Sequence, residues 1–128
     1  VLSAFPNTAS RPDSTAVKTD TRPVMLRRAI AFIEDNADSP IVLSDVAASV
    51  HVTPRALQYM FKRHLDMTPM AYLRRVRLDH AHHDLVDADP VEATVQHVAA
   101  RWGFAHTGRF AAMYRRTYGC MPSDTLRS

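Results

Sequence analysis

The chain carries a single cysteine, Cys120, in 128 residues, which excludes an internal disulfide and suits a reducing cytoplasm. No apolar run approaches the roughly 18 residues needed to span a bilayer, and no signal-peptide pattern opens the sequence. Strand signals are missing as well, because the valines fall mostly into helix-period patterns. Nor is there a phosphate loop, a pair of acid/base carboxylates or a nucleophile triad, and Cys120 has no clustered partners of the kind a thiolate catalyst or zinc site needs. An enzyme is therefore not expected, nor a metal, a cofactor or a membrane partner. The sequence begins at Val1 without an initiating Met, and is read as a fragment of something longer.

Apolar residues make up 46% of the chain, enough to bury a core in one compact domain or two small subdomains. The formal charge is only +3, but it is unevenly spread. Residues 54–83 hold Arg55, Lys62, Arg63, Arg74, Arg75 and Arg77 against Asp66 and Asp79, and residues 101–128 hold Arg101, Arg109, Arg115, Arg116 and Arg127 against Asp124. Acids gather at Glu34–Asp38 and Asp84–Glu92. Two basic blocks around an acidic connector suit two patches facing one polyanion, though solvated helix faces would give the same pattern.

Residues 1–23 lack periodicity and are rich in Ser, Thr, Pro and Asp, as expected of a linker or tail. A helical pattern then runs from Val24 to Asn36, with Met25, Ala29, Ile30, Phe32 and Ile33 inward. A second helix is expected from an N-cap at Ser44 to about His51, with Leu43 as a staple and Val46, Ala47 and Val50 inward. Thr53-Pro54 and Thr68-Pro69 each place a capping hydroxyl before a proline at the first helical position. The first pair opens a helix with Leu57, Met60, Phe61 and Leu65 inward. The second opens a longer one, from Pro69 to about Val86, with Ala71, Leu78, Ala81 and Leu85 on one side and Leu73 and Val76 opposite. Two apolar stripes mark a helix packed between two bodies, a rigid bridge. Thr94 caps a short helix through Trp102, Gly103 turns the chain, and a last long helix runs from about His106 to Tyr118 before Gly119.

The two halves repeat each other. Val46-Ala47, Val50 and Val52 recur 52 positions later as Val98-Ala99, Trp102 and Phe104. At an offset of 53, Leu57, Phe61, Lys62-Arg63, Leu65 and Pro69 match Phe110, Tyr114, Arg115-Arg116, Tyr118 and Pro122. Each copy is a short helix, a tight turn and a longer basic helix. A small residue, Ala47 or Ala99, lets the helices cross closely, and His51 or Gly103 fills the turn, where glycine bears a positive φ at little cost. Such a turn sets the second helix steeply enough to enter a major groove. Trp102 and Phe104 are expected in the core by their spacing.

With these residues the sequence closely resembles the DNA-binding domain of the AraC/XylS family of transcription regulators. The resemblance covers about residues 24–127. It is most specific at Gly103-Phe104, Phe110, Tyr114, Arg115-Arg116, Tyr118-Gly119, Met121-Pro122 and Leu126-Arg127, and also includes Leu43, Thr53, Arg55, Leu57, Met67-Thr68-Pro69, Tyr72-Leu73, Arg77-Leu78 and Ala81. It departs from the family at His51 and Asp66, where glycine is usual, and at Gly108 and Ala112, where long polar side chains are common. The resemblance implies an all-α fold of about seven helices, two helix-turn-helix subdomains joined by a central linker helix. The expected boundaries are 24–68 for the first, 69–86 for the bridge and 87–128 for the second. It also implies an upstream sensor or dimerisation domain that receives any small-molecule effector, RNA polymerase as a further partner, and a cytoplasmic, nucleoid-associated protein whose isolated fragment is monomeric.

On double-stranded DNA, the first recognition helix would offer Arg55, Gln58 and Tyr59 to base edges and Thr53, Lys62 and Arg63 to phosphates. The second would offer Thr107 and Arg109 to bases, with His106 as a cap or phosphate partner and Arg115 and Arg116 on the backbone. The expected division of labour is unequal, the first unit specifying and the second mostly clamping. A helical protein-interaction module on the same surface is the alternative. The run Asp79-His80-x-His82-His83-Asp84 places Asp79/His83 and His80/Asp84 four apart; it is read as solvent-side ion pairs and a packed imidazole rather than a metal site.

Overall fold

A computed structural model describes residues 22–128, so the expected linker over 1–23 lies outside the described residues except for Arg22 and Pro23. Seven helices follow: α1 (Val24–Asp35), α2 (Leu43–Ser49), α3 (Pro54–Leu65), α4 (Pro69–Asp87), α5 (Val95–Arg101), α6 (Thr107–Tyr118) and α7 (Pro122–Arg127). No strand occurs among the described residues, and no helix there is long and apolar enough to cross a membrane. The all-α architecture with two helix-turn-helix subdomains is the one expected.

Local chemistry sets the helix ends. Thr53, Thr68 and Thr94 accept the backbone N–H groups of Ala56, Ala71 and His97, each at 3.1 Å, satisfying one donor the helix cannot. The expected cap at Ser44 is not formed. The α2 helix starts two residues earlier, with Val42 as N-cap, because Asp45 at the third position reaches back to accept the Val42 N–H at 2.8 Å. That half of a capping box outcompetes the serine. Leu43 is then the first helical residue, and the staple positions fall to Ile41 and Val46. Asp124 starts α7 the same way, accepting the Met121 N–H at 3.2 Å.

Two cores form. Leu26, Ala29, Ile30, Ile33, Val46, Ala47, Val50, Leu57, Phe61 and Leu73 make the first. Leu78, Ala81, Leu85, Val98, Ala99, Phe110, Tyr114 and Leu126 make the second. Leu26 is fully buried while Met25 and Phe32 are only partly so, which corrects the expected inward face of α1. Three- and four-residue steps from Ala29, Ile30 and Ile33 lead back to Leu26, and the stripe is centred there. Trp102 and Phe104 flank the second core half-buried, less enclosed than expected.

The α4 helix serves both cores, Leu73 facing the first and Leu78, Ala81 and Leu85 the second. It packs on α1 and α3 on one side and on α5 and α7 on the other. The expected bridge with two apolar stripes is what is observed.

Candidate nucleic-acid interface

Both helix-turn-helix units turn by the same hydrogen bonds. After α2, the N–H of His51 reaches Ala48 O at 3.2 Å and that of Val52 reaches Ala47 O at 3.1 Å. After α5, Gly103 reaches Ala100 O at 3.1 Å and Phe104 reaches Ala99 O at 2.9 Å. Each pair is a Schellman closure, which requires left-handed backbone at the residue past the C-cap. His51 adopts it at φ 59 and Gly103 at φ 85. The repeated turn launches α3 and α6 alike.

Each launched helix is amphipathic. The α3 helix buries Leu57 and Phe61 and exposes Arg55, Gln58, Tyr59, Lys62 and Arg63. Residues 55, 58, 59 and 62 follow steps of three and four, so they share one face. Tyr59 is 65% exposed, a large ring that the core does not use. Thr53 is exposed too; its oxygen is engaged in the cap, but its O–H remains a donor. The α6 helix buries Phe110 and Tyr114 and exposes Thr107, Arg109, Ala112, Arg115 and Arg116. His106 stands exposed at the N-cap but makes no capping hydrogen bond, so its expected role as a cap is not realised.

Charge pairing separates these side chains into two groups. Lys62 pairs with Asp66 at 3.0 Å, with both groups largely in solvent, a contact worth little and easily exchanged. Arg55, Arg63, Arg109, Arg115 and Arg116 have no ion-pair partner among the described residues. Neither α3 nor α6 has an acid in its first turn, which leaves the positive helix ends uncompensated. Lys62, Arg63 and His64 in the last turn of α3, and Arg115 and Arg116 in that of α6, also favour the helix dipole.

Arg74 was not singled out from the sequence beyond its place in a basic block. On α4 it is exposed and lines a hollow of about 180 Å³ together with Met113 and Arg116 of α6. Only the packing of α4 against the second unit brings the two arginines to the wall of one hollow.

The His/Asp run on α4 is structural in part, but not through histidine–aspartate ion pairs. His83 Nδ1 meets the backbone oxygen of Asp79 at 2.7 Å, and His80 stacks on Trp102 with centroids 4.5 Å apart. The carboxylates go elsewhere. Asp79 pairs with Arg75 at 3.4 Å and accepts from the Tyr118 hydroxyl; Asp84 accepts from Trp102 Nε1 at 2.7 Å and pairs with Arg101 at 3.4 Å. Arginine, indole and phenol donors, most of them from α6 and the end of α5, take the place of the expected histidine partners. His82 is the packed imidazole, stacked on Tyr118 at 4.1 Å. The Tyr114 hydroxyl is within 2.7 Å of both Thr125 Oγ1 and His82 Nδ1 and hydrogen-bonds to each. Burial, followed by the hydrogen bond to Asp79, holds the Tyr118 phenol well above the ordinary tyrosine pKa. Tyr72 is pushed up to about 12 by burial, by the charge of Glu34 and by donating to Glu34 at 3.1 Å.

Comparison with known proteins agrees with this geometry. The family described as "Helix-turn-helix domain" matches residues 46–128. A probable thc operon regulatory protein of Rhodococcus erythropolis is 42% identical over 106 residues, 83% of this chain and 32% of that protein. The XylDLEGF operon transcriptional activator 3 of Pseudomonas putida is 41% identical over 100 residues, 78% of this chain and 30% of its own length. This chain therefore spans about a third of these relatives. The crystal structure of a probable AraC family transcriptional regulator from Rhodopseudomonas palustris superposes with a TM-score of 0.74 at 36% identity, covering 80% of this chain and 94% of that one. With the repeated turn, the two exposed basic helices and these likenesses in hand, the chain belongs to the AraC/XylS family, as a helix-turn-helix DNA-binding domain of its transcription regulators.

Proposed function

We propose that the chain binds double-stranded DNA sequence-specifically, with α3 and α6 in successive major-groove segments of one asymmetric site. The observation that carries this reading is the set of arginines without ionic partners among the described residues, Arg55, Arg63, Arg109, Arg115 and Arg116, on the exposed faces of those two helices. Arg55, Gln58 and Tyr59 read base edges, Arg to guanine and Gln to adenine, while Thr53, Lys62 and Arg63 hold phosphates. The second helix contributes Thr107 and Arg109 to bases, and His106, Arg115 and Arg116 to the backbone. Gly108 and Ala112 leave it a short-armed face, so the first unit carries most of the specificity. The site is asymmetric because the two faces differ in sequence. Residues 24–68, 69–86 and 87–128 act as first reader, bridge and second reader, behind a linker over 1–23.

In the whole regulator, RNA polymerase is a second partner, the effector acts through a part outside this chain, and the protein works on the bacterial nucleoid in the cytoplasm. The isolated chain binds as a monomer.

Selection of bound sites from a random duplex library tests the reading. The expected product is two unlike blocks about 10–10.5 bp apart, with more information in the block under α3. Recovery of no preferred sequence would replace this reading with the helical interaction module.

A further inference from the structure

The contact between the two helix-turn-helix units mixes polar and apolar groups and is incompletely filled. Two clefts, of about 340 and 190 Å³, lie between the α1–α2 connection and the α5–α6 turn, and Arg77, Trp102 and Gly103 line both. Arg77 stands on α4 between Leu73, which belongs to the first core, and Leu78, which belongs to the second. Residues 74–77 are exposed or half-buried, and only Val76 among them packs against a core, the first, so the second core does not clamp this stretch of the bridge. Units joined by such an interface are expected to move relative to one another unless something else holds them.

Arg77 is placed to hold them. Its Nε donates to Ala37 O at 2.8 Å and its Nη2 to Ser39 O at 2.6 Å, both in the α1–α2 connection. On the other side it meets the turn of the second unit, where a Cβ added to Gly103 would lie 3.6 Å from Arg77 Nη1. No carboxylate pairs with it among the described residues. Burial alone lowers its pKa from the ordinary value, so the side chain gives up water for two carbonyls rather than for a counter-charge. A planar guanidinium can donate to both carbonyls at once from fixed directions; a lysine ammonium cannot reproduce that fork.

We propose that Arg77 is a positioning residue that locks the angle between the two helix-turn-helix units by tying the bridge helix to the α1–α2 connection where the second unit's turn abuts it. Its consequence for DNA rests on the two-segment reading above: a fixed angle means a fixed spacing between the two groove segments. The lock itself exists without DNA.

The test measures it both ways in the 128-residue chain. Spin labels at A31C and Q96C, exposed positions on α1 and α5, are placed in a C120S background and their separation is read by pulsed electron resonance without DNA. The chain with Arg77 gives one narrow distance. The variants R77Q and R77K lose that single peak while keeping their helical circular dichroism. An unchanged narrow peak in either folded variant overturns the lock. In the unsubstituted chain the Arg77 Nε–H resonance exchanges slowly with water, and fast exchange there also overturns it, whether or not a variant folds. Library selection then repeats with R77K, which yields the same two sequence blocks at variable spacing. If the unsubstituted chain selects no two-block site, the DNA reading fails, and the label distances still judge the lock.

Discussion

His51 and Asp66 hold left-handed backbone at φ 59 and 54 without being glycine, each at the end of a helix whose C-terminal carbonyls need closing. Left-handed backbone costs an L-residue about 1–2 kcal/mol, and glycine gives back roughly 0.5–1 kcal/mol of that in chain entropy. Replacing His51 with Gly should therefore raise stability by about 0.5–1 kcal/mol, read as a higher denaturation midpoint with unchanged slope. Gly103→Ala should lower it by about 0.5–1 kcal/mol by the same reasoning. Gln58 is exposed, so Gln58→Ala should leave the midpoint in place. In DNA binding it should cost about 1–3 kcal/mol and relax preference at one base position. Uniform weakening across a position-resolved duplex panel would remove Gln58 from the reading face.

Among the helices, α4 carries the most varied chemistry, joining two cores and anchoring the polar chain from Arg75 through Asp79 to Tyr118. Tyr118 and Tyr72 both have folded pKa values above the ordinary 10. A proton held more tightly in the folded state stabilises fully below pH about 10, and that contribution is lost as the pH rises toward the folded value, about 12 for Tyr72. Denaturation midpoints should thus fall between pH about 9 and about 11.5, and the fall should be shallower in Tyr118→Phe and in Tyr72→Phe. Equal slopes in all three chains would show that neither phenol is linked to folding. Phenolate absorbance supplies the direct check, since removing either hydroxyl deletes a late-titrating step.

For the whole molecule the governing quantity is how many phosphates the two basic faces neutralise together. Each phosphate contact contributes about 0.9 to the slope of log affinity against log salt. Arg115→Ala should reduce that slope by about this amount and weaken binding evenly across sequences. Arg115 lies in the last turn of α6, where loss of a cation costs a helix about 0.3–1 kcal/mol, so the midpoint shift is measured beside the slope. A destabilised variant with the original slope would mean that Arg115 serves the helix and not the duplex.

Much of this molecule was legible in its residues because the signals are local. Thr-Pro caps, three- and four-residue apolar steps and the 52/53 offset depend on neighbours in the chain, and helices obey neighbours. The candidate faces were legible for the same reason, since Leu57 and Phe61, or Phe110 and Tyr114, name the buried side and leave the rest outside. What required the tertiary structure was every choice among competing partners. Asp45 rather than Ser44 caps α2, Asp79 turns to Arg75 and Tyr118 rather than His83, and Arg74 meets the hollow beside Arg116. The Asp45 cap and the Arg75–Asp79 pair are contacts within one helical turn, which the spacing allowed without deciding, whereas the Tyr118 hydroxyl and the Arg74 hollow involve groups that come together only when both cores close on α4.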